Sequence, residues 1–525
     1  MSLARLKKVR IAVSVIFFLF TAFLFLDFKS YLPPAAHKYI LYVQFVPSLL
    51  KFVNVVSLAS AGFIFVIILT LLFGRIYCSS ICPLGTLQDM AIYFTRKFRR
   101  KKKNRFRYLK PQNFLRYSLL ALAVIPLTFG SMFVLDLLDP YSNFGKMNSN
   151  LLRPVLVFLN NSAAYTLEKF KNYSLYPFEL RTLSIIGIGF SALFLAFVIW
   201  MSVSRGRLYC NSVCPVGTLL GILSRFSIFK IAIDQTACKG CGICERACKS
   251  GCIDNKTRSL DFSRCVSCFN CFNVCPSEGL TYEKLSNVKE PAEEKKTDIK
   301  KREFIVQTSA YLLGLSGLAF LQQKKVIKSY KNNSIVTVKN NPVTPPGSRG
   351  IEHFTSTCTA CHLCVSACPA QVLQPAYLEY GLRGMMQPHM DYNTSFCQFE
   401  CTICTDICPN GAILPLSLET KKLTQLGKVK FEKRDCIVET ENTDCGACSE
   451  HCPTKAVNMV PYKGKLSIPE IKDEYCIGCG ACEYACPAKP YKAIYVEGNP
   501  VHQTAKKPEV KKIEEKVDYK EDFPF

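Results

Sequence analysis

"CIGCGACEYACP", Cys476 to Pro487, carries three cysteines separated by two-residue gaps, then a fourth cysteine three residues on, then proline. Two-residue gaps let one tight turn aim three sulfurs at three irons of a [4Fe–4S] cube. The proline breaks the backbone so that the fourth thiolate, Cys486, reaches a neighbouring cluster. The run therefore implies a small α+β domain wrapped around clusters. It also implies at least one further run to complete the exchange of fourth thiolates.

Moving outward, such runs fill two blocks. The first block holds "CKGCGICERACKSGC" (Cys238, Cys241, Cys244, Cys248, Cys252) and "CVSCFNCFNVCP" (Cys265, Cys268, Cys271, Cys275). The second holds "CTACHLCVSACP" (Cys358, Cys361, Cys364, Cys368) and "CQFECTICTDICP" (Cys397, Cys401, Cys404, Cys408). Cys436 with "CGACSEHCP" (Cys445, Cys448, Cys452) and the opening run (Cys476, Cys479, Cys482, Cys486) complete it. Six runs imply six [4Fe–4S] clusters. Structural zinc uses two Cys-x2-Cys pairs, not triplets with a remote fourth ligand, and regular triplets do not suit a disulfide framework. In the first block Cys238, Cys241 and Cys244 pair with Cys275, and Cys265, Cys268 and Cys271 with Cys248. Cys248 is followed by Lys249 instead of proline, which leaves Cys252 as the alternative ligand. In the second block the runs pair either with their neighbours or nested, first with fourth. His362, inside a run, is expected to donate to sulfur rather than to bind iron.

The remaining four cysteines sit elsewhere. "GRIYCSSICPLGTLQD" (Gly74 to Asp89) and "GRLYCNSVCPVGTLLG" (Gly206 to Gly221) repeat one Cys-x3-Cys-Pro signature, each just after a long apolar run. Uncharged stretches of about 18 residues or more are transmembrane candidates. Ile11 to Leu26, Val55 to Gly74, Tyr117 to Leu135 and Leu183 to Val203 read as four spans, and Phe304 to Leu321 as a weaker fifth. The first lacks a cleavage site and reads as a retained anchor.

Charge orients these spans. From Ile351 onward 19 Lys and Arg face 23 Asp and Glu, so the net charge of +26 resides wholly in the first 350 residues. Its densest part, "RKFRRKKKNRFRYLK" (Arg96 to Lys110), lies between two spans, where it reads as a cytoplasmic loop and not as a nucleic-acid site. The basic N-terminus, Arg205 and Arg207 lie on the same side, together with both Cys-x3-Cys-Pro copies. Lys301 and Arg302 keep the start of the fifth stretch cytoplasmic, so the second cysteine block is expected in the periplasm. "KR-x-F-I" (Lys301, Arg302, Phe304, Ile305) resembles a weakened twin-arginine export signal; a Sec-type anchor reads equally well. The expected fold is a helical membrane protein, a four-helix bundle plus a fifth anchor helix, with α+β bacterial-ferredoxin-like [4Fe–4S] domains. Its divisions are a four-span domain (1–232), a two-cluster domain (233–285), a linker, anchor helix (304–321) and tether (286–350), a four-cluster domain (351–500) and a charged tail (501–525).

With four spans, paired "YCxxxCPxG" motifs and a two-cluster module, residues 1–285 resemble the NapH type of membrane quinol dehydrogenase subunit. Residues 300–500 resemble the NapG/MauM type of periplasmic ferredoxin, so the chain looks like a fusion of the two. The resemblance implies quinol as substrate, drawn from the membrane pool, and a periplasmic reductase or cytochrome as acceptor. Nitrate reductase is the prototype, and the inner (cytoplasmic) membrane of a bacterium the location. An alternative is a membrane polyferredoxin acting in metal-centre assembly, or in redox sensing. Clusters carry single electrons whereas a quinol gives up two electrons and two protons, so a file of clusters separates them in time. Cys78, Cys82, Cys210 and Cys214 are the candidate redox thiols or ligands of another centre, with a structural lock on two helix ends as the plainer reading. Asp136, in "LDLLDPYSNFG", is the candidate proton acceptor; Asp139 before Pro140 also reads as a simple helix stop.

Overall fold

The computed structural model describes residues 3–284 and 330–507, apart from 30, 58–59, 99–105, 182–183, 278, 332–333 and 337–338. The expected anchor helix at 304–321, the export-like residues Lys301 to Ile305 and the end of the charged tail lie outside the described residues.

The N-terminal half is helical. An uninterrupted apolar run forms α1 (Leu3–Leu26), followed by α2 (Pro34–Tyr42), α3 (Phe45–Asn54), α4 (Gly62–Phe73), α5 (Ile76–Ser80) and α6 (Pro83–Phe98). Next come α7 (Asn113–Thr128), α8 (Phe133–Leu138) and α9 (Pro140–Met147). A π-helical turn (Asn148–Leu152) leads into α10 (Arg153–Lys169). The long α11 (Ile185–Arg205), a second π-helical turn (Tyr209–Val213) and α12 (Pro215–Ser224) complete it.

Two of these helices, α1 and α11, are long and apolar enough to cross a membrane. The other two expected spans are shorter. Apolar residues from Val55 do not join α4, which begins only at Gly62, and the left-handed Gly74 ends it. The third is cut by Pro126 and the left-handed Gly130, and resumes as α8. A four-span bundle is thus replaced by two full-length helices with shorter helices packed between them, because glycine and proline interrupt the hydrogen-bond ladder where the apolar pattern alone continues. Large apolar side chains remain exposed on both long helices: Val15, Ile16, Leu19 and Phe20 on α1, and Ile186, Leu193 and Trp200 on α11.

The two cysteine blocks fold as separate small units at opposite ends of the helices. In the first, β1 (Phe229–Ile233) pairs antiparallel with Leu280–Lys284, bringing the ends of the module together around a short inner ladder of Ile253–Asp254 with Ser259–Leu260. In the second, Thr424–Phe431 pairs with Ile494–Thr504, Val457–Pro461 with Ser467–Ile471, and Leu373–Pro375 with Pro388–Met390. Both cores consist largely of cysteine and apolar residues, with Phe262 and Phe269 in the first and Phe354 and Tyr392 in the second.

The ends of α1 and α11 fix this arrangement. Leu6, near the start of α1, packs on the first module's core, whereas Phe25, near its end, shares a core with Cys361 and Leu363 of the second. The direction of α11 is opposite. Just before it, the Arg181 amide donates to Gln371 Oε1 of the second module (3.0 Å). Just after it, the Arg207 amide donates to the Lys249 carbonyl of the first (2.8 Å).

Candidate functional site

Backbone conformation explains how the runs present their thiols. In each run of standard spacing the residues on either side of the second cysteine are left-handed: Gly240 and Gly242, Ser267 and Phe269, Ala360 and His362, Gly478 and Gly480. Reversing the chain twice within five residues turns all three sulfurs inward. Left-handed backbone costs a side-chain-bearing residue about 1–2 kcal/mol, which is why glycine fills half of these places. The two runs of unusual spacing turn differently, since Thr402 and Gly446 have φ of −121° and −119°.

The thiols gather in six sets of four. Cys244 faces Cys238, Cys241 and Cys275, and Cys271 faces Cys265, Cys268 and Cys248. In the second module Cys364 faces Cys358, Cys361 and Cys408, and Cys404 faces Cys397, Cys401 and Cys368. Cys448 faces Cys436, Cys445 and Cys486, and Cys482 faces Cys476, Cys479 and Cys452. Runs therefore exchange fourth thiols with their neighbours, not in a nested order. Burial first, and then the neighbouring thiols, push each of these central thiols above its ordinary range, the expected state of a thiol set that ionises only against bound cations.

The donor set suits iron–sulfur clusters. All 29 cysteines are free of disulfides. Among the described residues no three Cys, His, Asp or Glu donors converge tightly enough for a single metal ion, as a tetrahedral zinc with ~2.3 Å bonds would need. Backbone amides point at sulfur, as Ala360 does at Cys358 (3.4 Å) and Ala456 at Cys452 (3.2 Å), a kind of contact that tunes cluster potentials. Cys248 and Cys252 approach at 3.5 Å. The hydrogen bond from Cys252 is the main reason the Cys248 thiol is pulled down, and the same bond holds Cys252 up. Cys252 also bonds Cys265, so both thiols lie beside the second set. His362 departs from expectation: its Nε2 bonds the Met386 carbonyl (2.9 Å), not a sulfur, and its ring is buried.

Between the modules lies the repeated signature. Cys78, Cys82, Cys210 and Cys214 are all buried and close enough for their charges to interact. Two arginines cross between the copies. Arg75 of the first donates to the Cys210 carbonyl (2.9 Å), and Arg207 of the second donates to the Cys78 carbonyl (2.5 Å). Gln88 Nε2 contacts Cys210 Sγ at 3.3 Å, and the Gly217 amide contacts Cys214 Sγ at 3.3 Å. Asp89 Oδ2 anchors the crossing through Arg10 (3.1 Å) and Arg207 (2.9 Å), while Lys249 of the first module reaches Asp89 Oδ1 at 3.1 Å. Read from the sequence, Arg207 is a topology charge only and Arg75 is not singled out. Their signal was the Gly-Arg-x-Tyr-Cys shared by both copies.

The aspartates separate in role. Asp139 caps α9, accepting from the Ser142 amide (2.7 Å) and hydroxyl (2.6 Å), so the helix-stop reading describes it. Asp136 lies buried in α8 below the run Cys358–Cys364, its carboxylate oxygens without a hydrogen-bond partner; Gln387 is near but not in bonding geometry. Lys146 Nζ donates to the Asp136 carbonyl at 2.8 Å. Both residues face the second module: Asp136 is the main neighbouring charge on Cys358, and Lys146 acts on Cys361, which burial pushes up to about 12.

Comparisons with known proteins bear on these sites. The 4Fe-4S binding domain family matches residues 57–104 and 188–233, which bracket the two Cys-x3-Cys-Pro copies. Families of 4Fe-4S dicluster domains match residues 357–413 and 443–489. The chain carries ferredoxin-type iron–sulfur domains. An uncharacterized protein of Methanocaldococcus jannaschii, MJ0749, is 38% identical over 104 residues, 20% of this chain and 41% of that protein. The ferredoxin-type protein NapF of Escherichia coli K12 is 27% identical over 139 residues, 26% of this chain and 76% of NapF. The methylamine utilization ferredoxin-type protein MauM of Methylobacillus flagellatus is 30% identical over 146 residues, 26% of this chain and 59% of MauM. The chain thus spans only part of each of these relatives. No solved structure matches.

Proposed function

We propose that this chain is a membrane-bound electron conduit that oxidises quinol and passes electrons through six [4Fe–4S] clusters to an acceptor on the far side of the bilayer. The observation that carries the reading is the placement of α1 and α11. Each runs from one cysteine module to the other, in opposite directions, and each exposes apolar side chains along its length. Helices of 24 and 21 residues extend about 36 and 31 Å, against a hydrocarbon core of about 30 Å. Lipid around them would put the first module on the cytoplasmic face, beside the basic Arg96–Lys110 loop, and the second on the periplasmic face.

The thiols of the six sets would hold the clusters, which supply one-electron carriage when bound. The protein's own groups account for the rest. Cys78, Cys82, Cys210 and Cys214 offer four thiols in the helical core on the first module's side, as redox thiols or as ligands of another centre. Asp136 is a buried carboxylate positioned to accept a proton, with Lys146 beside it to balance the charge. An inner-membrane position and a periplasmic reductase or cytochrome as acceptor complete the reading, in line with the NapH-like and NapG/MauM-like halves.

Anaerobically purified full-length protein in lipid should contain about 24 iron atoms and as many acid-labile sulfides per chain in the six sets. A menaquinol or ubiquinol analogue should bleach its visible absorption. A full iron complement with no bleaching by either quinol would reject quinol oxidation, and zinc in place of iron would reject the whole reading.

A further inference from the structure

A second kind of site lies where the helical domain meets the first module. A cavity of about 210 Å³ is lined by Lys110, Gln112, Arg205 and Arg264 together with the small polar side chains of Ser212 and Ser250. Among the described residues three cations face it, and no carboxylate belongs to its lining. The wall is built, not incidental. Arg264 is 3% exposed, with Nε on Asp261 (2.5 Å) and Nη1 on the Leu109 carbonyl (2.5 Å), yet its buried Nη2 has no partner among the described residues. Ser250 Oγ, on the same wall, is also buried and without a partner among the described residues. Two buried donors left open cost free energy unless something accepts from them. At the mouth, Gln112 precedes α7 without capping it, so the positive end of a 16-residue helix adds to the field.

We propose that this cavity binds a phosphate-class anion, with Arg264 Nη2 and Ser250 Oγ as the inner donors and Lys110 and Arg205 closing over it from the rim. The shared chemistry is a phosphate monoanion or diester. An acidic phospholipid headgroup is the source that follows from the membrane reading above, since Arg205 ends a full-length helix and the cavity would then lie at headgroup depth. Dissolved inorganic phosphate is the other source. The site also gives part of the basic loop a second task beyond orientation, because its last residues, Leu109 and Lys110, form one wall.

The test uses the full-length cluster-loaded protein, delipidated in neutral detergent and titrated with phosphatidylglycerol, phosphatidylcholine or inorganic phosphate, with bound ligand counted by native mass spectrometry. One phosphatidylglycerol per chain should bind in preference to phosphatidylcholine. The double variant Lys110→Gln, Arg205→Gln should bind it about thirtyfold more weakly, as loss of two surface cations predicts, and Ser250→Ala should weaken it further. Saturation by inorganic phosphate alone, weakened by the same variants, would assign the dissolved source. Equal retention of both lipids, unchanged binding in the variants, or no binding of any probe would overturn the proposal. The count does not involve quinol turnover, so its failure is distinguishable from failure of the conduit reading.

Discussion

Gly85 and Gly217 hold equivalent places in the two Cys-x3-Cys-Pro copies, and each leaves room for a chain that crosses it. A β-carbon on Gly217 would stand 2.2 Å from the Cys210 carbonyl oxygen and 3.0 Å from Arg75 Nη2; one on Gly85 would stand 2.2 Å from the Cys78 carbonyl oxygen and 2.9 Å from Arg207 Nη1. Backbone oxygen cannot move aside as a flexible side chain does, so a methyl group at either glycine would strain that copy's own Cys-x3-Cys turn and press on the arginine that crosses from the other copy. Gly217→Ala should destabilise the helical domain by about 1–3 kcal/mol, the usual cost of overpacking a filled core. Anaerobic thermal unfolding reads this directly, and faster labelling of Cys210 and Cys214 by a maleimide would locate the damage. The arginine exchange had a trace in the repeated Gly-Arg-x-Tyr-Cys, but its geometry did not, because it exists only once two distant segments meet. The cluster thiols are the opposite case. Their spacing is local, so the three thiols that each standard run contributes follow from short turns; the exchange of Cys408 and Cys486 between neighbouring runs, which the sequence left open against a nested order, is set only by how the runs fold together.

At the scale of whole elements, α1 and α11 are legible because nothing interrupts their apolar runs. The segments 55–74 and 117–135 are also apolar, but the first enters a helix only at Gly62 and the second is broken by Pro126 and Gly130, whose effect on backbone conformation a hydropathy window does not register. The shorter helices α6 and α9 pack against both long ones, and α9 is buried along its entire length. Leu193 tests whether α11 faces lipid. It lies near the middle of that helix and is 73% exposed. In a bilayer, Leu193→Arg should cost about 2.5–3.5 kcal/mol of apparent insertion free energy, less what the long side chain recovers by snorkelling. The expected outcome is loss of the variant from the membrane fraction; a variant that stays membrane-bound and abundant would place this face in water or against another protein.

The molecule as a whole places two iron–sulfur modules at opposite ends of one helical body, and its function turns on whether that body couples them. On the first module's side the link is ionic and hydrogen-bonded, through Asp89, Arg207 and Lys249. On the second module's side it is steric. Gly145 in α9 lies so near the Cys361 carbonyl oxygen that a β-carbon would be 2.3 Å from it and 2.7 Å from the Phe25 ring. Hydrogen bonds flank that fit, between Ser149 and Ser366 (2.6 Å), from Arg181 to Gln371 (3.0 Å) and Ser395 (2.7 Å), and from Gln371 to the Glu179 carbonyl (2.6 Å), and a bulky side chain wedged into its centre would have to stretch or break them. Gly145→Leu should therefore lift the second module from the helices while leaving both modules folded, since neither module's own core includes Gly145. Iron content should stay unchanged. Reduction by quinol, followed by spectroscopy that separates the two modules, should then stop short of one of them, whereas in the unaltered protein both respond. Equal, undiminished reduction of both modules in the variant would show that electrons do not pass through the Cys361 side of this interface, and the route through α9 would have to be abandoned.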